Sequence, residues 1–370
     1  MKKILVLGTG APQLDLIKKC KEKRLKVFAC SYRSGDMAEQ FADSFELINI
    51  ADIEKVEKYV KEQDIDYVYS AGSDIAMPTA FYVSEKLGLP CFCPAKTAFI
   101  CNHKTLLRDV LGKDLEGNLI HQRITSLEDS PTIEFPFVMK PTDSQGQRGV
   151  FLIHNRTEYD HFFERSFSFS REKTIILEEY VCGDEISVNT FSANGKIMFF
   201  LVSDRISWKN FPGGIIHRHL IPSKYEKNDN VIIKLKKLVG TTLEKLNILN
   251  GPAYFQIIIN SEGIPKLIEV SPRLDGCHMW RLIKFATGVN LLDLTVEGLL
   301  GNYPKERIDF EIVPFETEFL CAQSNEVLRK ELFKDIKPYD YIQWYYDDGD
   351  IIHKINGYME KCGYVIRKTN

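Results

Sequence analysis

No apolar run in this 370-residue chain approaches the roughly 18 residues that would cross a bilayer. At the N-terminus two lysines precede Ile4 to Leu7, but Gly8 interrupts that run too early for a secretory leader, so a cytoplasmic protein is expected. An excess of one charge sign is also missing. Lys and Arg total 48 against 51 Asp and Glu, a net charge of -3, and no basic arm appears, which argues against nucleic acid or an anionic membrane as partner. There is no internal repeat and no low-complexity linker. The nine cysteines are odd in number and scattered, which suggests reduced thiols and not a disulfide framework. A zinc site could be assembled from "CFC" at 91 to 93 with Cys101 and His103. The C-x-C pair reads as part of an apolar strand, however, and a structural zinc site uses a wider knuckle, so buried thiols are the better account.

What is present is 44% hydrophobic content in a chain long enough for two or three packed domains. Residues 1–96 run "KKILVLG", "PQLDLIKKCKEK", "LKVFACS", "DIEKVEKYVKEQ", "IDYVYSAG", a βαβαβ cadence that predicts a parallel sheet. "MPTAFYVSEKLG" and "LPCFCP" extend it by one helix and one strand, and Thr97 to Leu111 reads as a further helix. From there the pattern becomes antiparallel. "FPFVMKPTDSQGQRGVFLI" reads as a hairpin, Asn194-Gly195 is a strong hairpin turn, 229–247 is an amphipathic helix, and "AYFQIIINSEGIPKLIEVSPR" is a second hairpin. After about residue 305 a strand, a short helix ("NEVLRKELF") and another strand suggest a small appended unit. The expected class is α/β followed by α+β.

Four stretches carry candidate chemistry. "GTGAPQ" (8–13) follows the first strand as a dinucleotide turn would, but Gln13 stands where a third glycine is needed. No acidic residue follows the second strand to hold a ribose, so a plain βα turn is preferred to an NAD site. Lys140 ends a buried-looking strand before a loop with Gly146 and Gly149. A fixed positive charge beside pliable backbone N–H groups suits phosphate oxygens, although the stretch alone is equally an exposed turn. In "ILEEYVCGDEISV", Glu178, Glu179 and Glu185 are singly a solvated strand edge. As a set they suit an adenosine pocket, with Glu185 on the ribose. In "KLIEVSPRLDGCH", Glu269 and its hairpin partner Gln256 are oxygen donors that could hold Mg²⁺, and Arg273 would face a phosphoryl group in transfer.

Taken in order, Lys104 on a helix, "FVMKP" with its glycine loop, "LEEYVCGDE", "FQIII" and "LIEVSPR" resemble the ATP-grasp superfamily, in its carbamoyl-phosphate synthetase-like, carboxylate-amine ligase form. The resemblance spans about residues 1–305. It implies an N-terminal parallel-sheet pre-ATP-grasp domain (1–96), a two-lobed antiparallel ATP-grasp domain (97–305, small lobe about 115–182) and a C-terminal α+β unit (306–370). By the same resemblance Lys104 and Lys140 are the nucleotide-binding lysines, and Ser144, Gly146 and Gly149 belong to the loop that closes on the phosphates. Glu178, Glu179, Tyr180 and Val181 match the adenine-holding segment, Glu185 the ribose ligand, Gln256 and Glu269 the metal ligands, and Arg273 the arginine at the acyl phosphate. Ser271 stands where the family has asparagine, which bears on a second metal.

The implied reaction is ATP-dependent: a carboxylate attacks the γ-phosphate, ADP leaves, and an amine displaces phosphate from the acyl phosphate. The implied cofactors are ATP and Mg²⁺, with Mn²⁺ as a substitute, and the partners are a small-molecule carboxylate and an amine; a homodimer is left open. The Ser144 loop is the expected lid. "SAGSD" (70–74) and "RISWKNFPGGIIHRHLIP", with Arg205, Lys209, His217, Arg218, His219 and Gly213-Gly214, are expected on the substrate side. Read singly, His217 and His219 are surface histidines. Asp275, His278 and Arg281 would reach the acceptor, with Asp275 or His278 as base, unless Asp275 caps a helix. A bicarbonate-using carboxylase and a nucleotide-binding regulator are the rival readings, the latter supported by Ser271.

Overall fold

The computed structural model describes residues 1–144, 148–208, 215–354 and 359–369. β1 (Lys3–Leu7), β2 (Lys26–Ser31), β3 (Ser44–Leu47) and β4 (Tyr67–Tyr69) form a parallel sheet in the order β3-β2-β1-β4, with α1 (Ala11–Glu22), α2 (Ile53–Glu62) and α3 (Ala76–Leu87) as crossovers. Ile4 to Leu7 are fully buried, as expected of a strand covered on both faces. β3 has no comparable signal in the sequence, because it is an edge strand that leaves Leu47 exposed.

Two expectations fail in the next segment. Residues 89–94 form no strand: Pro90 and Pro94 flank the stretch and cannot donate to a ladder, so it crosses irregularly and β4 remains the sheet edge. The single helix expected over Thr97 to Leu111 is two, α4 (Ala95–Asn102) and α5 (Lys104–Leu111), broken where His103 adopts φ -119° and ψ 103°. The break makes Lys104 the first residue of α5, where its backbone N–H donates to the Thr142 carbonyl at 3.1 Å.

β5 (His121–Ile124), β6 (Phe137–Pro141), β7 (Phe151–Ile153) and β8 (Ile175–Glu179) form a small antiparallel sheet in the order β5-β8-β6-β7. Its core is Phe137, Met139, Ile153 and Leu177 packed on Tyr159 and Phe163 of α6 (Arg156–Ser168). That helix was not anticipated. Its apolar side is aromatic, hence weak in helix propensity, but Asn155 caps it by accepting from the Glu158 N–H at 3.0 Å.

The second sheet has eight strands: β9 (Gly183–Ala193), β10 (Lys196–Ser207), β11 (Ile216–Ile221), β12 (Gly251–Asn260), β13 (Pro265–Ser271), β14 (Phe315–Gln323), β15 (Tyr341–Trp344) and β16 (Met359–Lys368). Their order is β13-β12-β9-β10-β11-β14-β16-β15. Asn194 and Gly195, both at positive φ, make the expected two-residue turn between β9 and β10. α7 (Asp229–Lys245) packs Leu235, Leu238 and Val239 against Val188, Phe255 and Leu267 of this sheet. α8 (Met279–Thr287) and α9 (Leu291–Leu299) share the N-terminal domain's core. The C-terminal strands continue the same sheet through the β11–β14 pairing, β16 was not foreseen, and "NEVLRKELF" yields a 3-10 turn at Lys330–Phe333 in place of an α-helix. No helix among the described residues is long and apolar enough to cross a membrane.

The N-terminal domain meets the large sheet's loop backbone to backbone. A Cβ on Gly72, at φ +66°, would lie 2.7 Å from the Gly276 Cα. Gly72→Ala should therefore cost roughly 2–4 kcal/mol, the left-handed backbone and the clash together. Gly88→Ala, at the same φ with open space around it, should cost about 1 kcal/mol. Calorimetric melts of the two variants check the difference.

Candidate functional site

The site grows from a buried ion triad in the small lobe. Glu178, on the central strand β8, receives a hydrogen bond from Arg108 Nε at 2.9 Å and pairs with Lys140 Nζ from neighbouring β6. Burial alone would push this carboxyl up, but Arg108 and Lys140 hold it down at about 2. Arg108 also donates to the Ile268 carbonyl on β13 at 2.8 Å, so the triad ties the small lobe to the large sheet. Its neighbour Glu179 does the same by accepting from Lys266 Nζ at 2.8 Å. Neither carboxylate is a solvated edge. Tyr180 and Val181 lie on the strap between β8 and β9, with Tyr180 exposed.

Lys104 reaches the same place from α5. Its Nζ donates to the Ser144 carbonyl at 2.7 Å, and burial together with the nearby Lys140 charge lowers it to about 8. The lysine is thus held by the backbone of the loop expected to fold over phosphates. Gly149, at φ +74°, has no room for a Cβ against Pro141 and Phe169. Gly146 lies outside the described residues, as do Lys209 and Gly213-Gly214.

On the large sheet, Gln256 and Glu269 stand directly opposite each other on β12 and β13. Gln256 Nε2 donates to Glu185, which also pairs with Arg205 from β10. With the amide nitrogen so used, Gln256 Oε1 is left as an acceptor. Glu269 makes no hydrogen bond among the described residues. Burial, and then the neighbouring Asp74, push its carboxyl up, against Arg273, Lys104 and Arg205.

Arg273 follows β13 and is clamped by Asp74 of "SAGSD". Nε donates to Asp74 Oδ1 at 2.7 Å, Nη2 pairs with Oδ2, and Nη1 donates to the Leu274 carbonyl at 2.9 Å. Ser271 gives its hydroxyl proton to the same Asp74 oxygen at 2.7 Å. Burial would raise Asp74, but Arg273 holds it below the usual carboxylate range. So the serine in the asparagine position supports the clamp, and two N–H groups of the guanidinium remain for a ligand.

The residues beyond Arg273 sort differently. Asp275 is no helix cap: α8 begins at Met279, and Asp275 Oδ1 accepts from the Cys277 N–H at 2.9 Å while Oδ2 is buried without a partner. His278 is buried, at φ +55°, and stacks on Tyr364 with neither ring nitrogen hydrogen-bonded. Burial lowers it, against Asp15. Arg281 pairs with that Asp15 on α1 and lies over the Tyr341 ring. His219 is no surface histidine; it is wholly buried next to Arg205 in the β10–β11 register, and burial with Arg205 and Lys361 keeps it neutral. His217, half-buried, pairs with Glu318 and stacks on Trp208.

Two residues were missed. Arg108 interrupts the buried stripe Thr105, Leu107 and Leu111 on α5, and a cation inside an apolar face is a signal of a buried acidic partner. Lys361, on β16, had none, because its strand was not foreseen. Among the described residues no three His, Cys, Asp or Glu side chains converge as a metal cage. The hard-oxygen pair Glu269 and Gln256 nevertheless fits Mg²⁺, which takes one or two protein ligands and completes its shell with water and phosphate.

A parallel sheet is followed by two antiparallel sheets, with Lys104 on α5 and Lys140 on β6 on one side and Gln256 and Glu269 on the other, a two-lobed α+β architecture. Residues 113–277 match the family model of the ATP-grasp domain. The chain is similar to a formate-dependent phosphoribosylglycinamide formyltransferase of Bacteroides thetaiotaomicron, 29% identical over 208 residues, which cover 54% of this chain and 53% of that enzyme. The matched segment thus spans about half of that relative's length. In fold it is similar to an L-amino acid ligase of Bacillus licheniformis (TM-score 0.80, 18% identity, 99% of this chain and 93% of that one). It is likewise similar to an N5-carboxyaminoimidazole synthetase of Staphylococcus aureus in complex with ADP (TM-score 0.78, 16% identity, 100% and 93%).

The triad makes a pH prediction. Glu178 falls from 4.5 to about 2 on folding, so its ionised form stabilises the fold fully above pH 4.5 and that contribution, about 3 kcal/mol, is lost as pH falls toward 2. Urea unfolding midpoints should drop across that window in the wild type. In Glu178→Gln they should be lower at pH 7 and flatter with acid.

Proposed function

We propose that the chain is an ADP-forming carboxylate-amine ligase, which activates a carboxylate as an acyl phosphate for attack by an amine. The observation that carries this reading is Glu269: a half-buried carboxylate without a hydrogen bond, opposite Gln256, among Lys104, Arg273 and Arg205. A protein keeps such a group unpaired where a cation is to be bound. The domain boundaries near residues 96 and 305 belong to the same reading, as does a cytoplasmic setting, which the nine free cysteines suit.

In this scheme Lys104 and Lys140 neutralise the outer phosphates, and the Glu178 triad fixes Lys140 at the required place. The free oxygen of Glu185 takes the ribose hydroxyls, and the backbone of 179–181 takes adenine. Glu269 and Gln256 would hold Mg²⁺, and a bound cation there would supply positive charge against that developing as the phosphoryl group moves. Arg273, held by Asp74, presents its remaining N–H groups to the carboxylate and then to the acyl phosphate. His278, whose pKa burial lowers, is one candidate base for the incoming amine in this reading. Asp275 is the other candidate, through its unpartnered oxygen. Formate, on which the Bacteroides thetaiotaomicron relative depends by name, is the smallest carboxylate to test; the bicarbonate alternative would show as ADP release without any amine.

Glu269→Gln should abolish ADP release in a coupled assay over carboxylate and amine pairs, while raising or preserving Tm, because it removes a charge that Asp74 opposes. Wild-type turnover by this variant would refute the site. Lys140→Ala is a less clean probe, since it also strips a cation from buried Glu178. Lys104 supplies a second test: with its value near 8, ATP affinity should weaken as pH rises past 8, and Lys104→Met should bind more weakly without that dependence.

A further inference from the structure

A cavity of about 1040 Å³ opens between the N-terminal domain and the C-terminal strands, and Gly276 and His278, from the loop that carries Arg273, form part of its wall. Two features mark it as a binding site. Lys361 lines it with an ammonium that hydrogen-bonds the Cys277 thiol at 3.5 Å and lies 3.8 Å from the centre of the Phe319 ring. Among the described residues no carboxylate lies within ion-pair distance of it. His278 is 1% exposed; neither ring nitrogen has a hydrogen-bond partner, and Nδ1 lies 3.9 Å from Asp15 Oδ2. A buried polar group with no partner is expensive unless something else supplies one. The first turn of α1, Gly10 to Pro12, also lines the cavity. Trp344, Tyr345 and Tyr346 add an aromatic wall.

We propose that this cavity holds the amine substrate, and that this substrate is of amino-acid type, its carboxylate on Lys361 and its amino group toward His278. The proposal rests on the ligase reading and adds the class of acceptor. One unpaired ammonium balances a single negative charge. Arg33 also lines the cavity but is paired with Asp36, and Asp347, Asp350 and Glu360 add negative charge there, which opposes a phosphate dianion more than a single carboxylate. Neutral His278 can accept a hydrogen bond from an amino group, which an imidazolium could not.

The test is calorimetric titration of the full chain, saturated with MgADP, with the common L-amino acids, with their amides, and with ribose 5-phosphate. At least one amino acid should bind, and its amide, lacking the carboxylate, should bind about tenfold more weakly or not at all. Lys361→Met should lose that discrimination while keeping the wild-type Kd for MgADP and the wild-type Tm, and Lys361→Arg should restore it in part. Tighter binding of ribose 5-phosphate than of any amino acid, wild-type discrimination by Lys361→Met, or no amino-acid binding at all would overturn the proposal. Failure of the wild type to bind MgADP would instead overturn the ligase reading beneath it.

Discussion

The grip of Asp74 on the Arg273 guanidinium is the contact on which the arrangement depends, because it crosses between two separately built sheets. Asp74 comes from the loop after β4, at the carboxyl end of a parallel sheet, where such sheets place their ligands. Arg273 comes from the end of β13. A fork of two N–H groups on one carboxylate fixes the guanidinium's plane as well as its position, and Ser271 adds a third hydrogen bond to the same acid. The loops carrying these residues approach so closely at Gly72 and Gly276 that neither position has space for a side chain.

Around this clamp most of the carboxylates are paired with cations. Glu178 has two cations, Glu179 has Lys266, Glu185 has Arg205 and Gln256, and Asp74 has Arg273. Glu269 is left over. Its neighbours Lys104 and Arg273 are hydrogen-bonded to the Ser144 carbonyl and to Asp74, and act on it only through their charge. The cost is a carboxyl whose ionisation the fold resists.

Much of this was legible in the sequence. The βαβαβ cadence, both hairpins and α7 follow from apolar period and turn residues, and the opposition of Gln256 to Glu269 follows from the hairpin at Ser261 to Gly263. What was not legible is what depends on tertiary partners. α6 hides because aromatic residues do not announce a helix, β3 because an edge strand needs little burial, and the Leu89 to Pro94 stretch misleads because its apolar residues pack without a ladder. At the site, a carboxylate's type and place could be read but not its occupant. Nothing local to "LEEYV" says that Glu178 will be enclosed by Arg108 and Lys140, and nothing local to "HRHLIP" says that His219 will be wholly buried.

The strand order at the C-terminal end of the large sheet has a consequence for how ligand preference can drift. Among the described residues β15 pairs only with β16, and β16 is inserted between β14 and β15 although it follows both in the chain. The aromatic wall that begins at Trp344 is therefore suspended from a strand most of whose residues never see the cavity. Tyr364, buried and packed on His278 and near Tyr345, supports that wall from beneath, so a change of its volume would reach the cavity from the core outward.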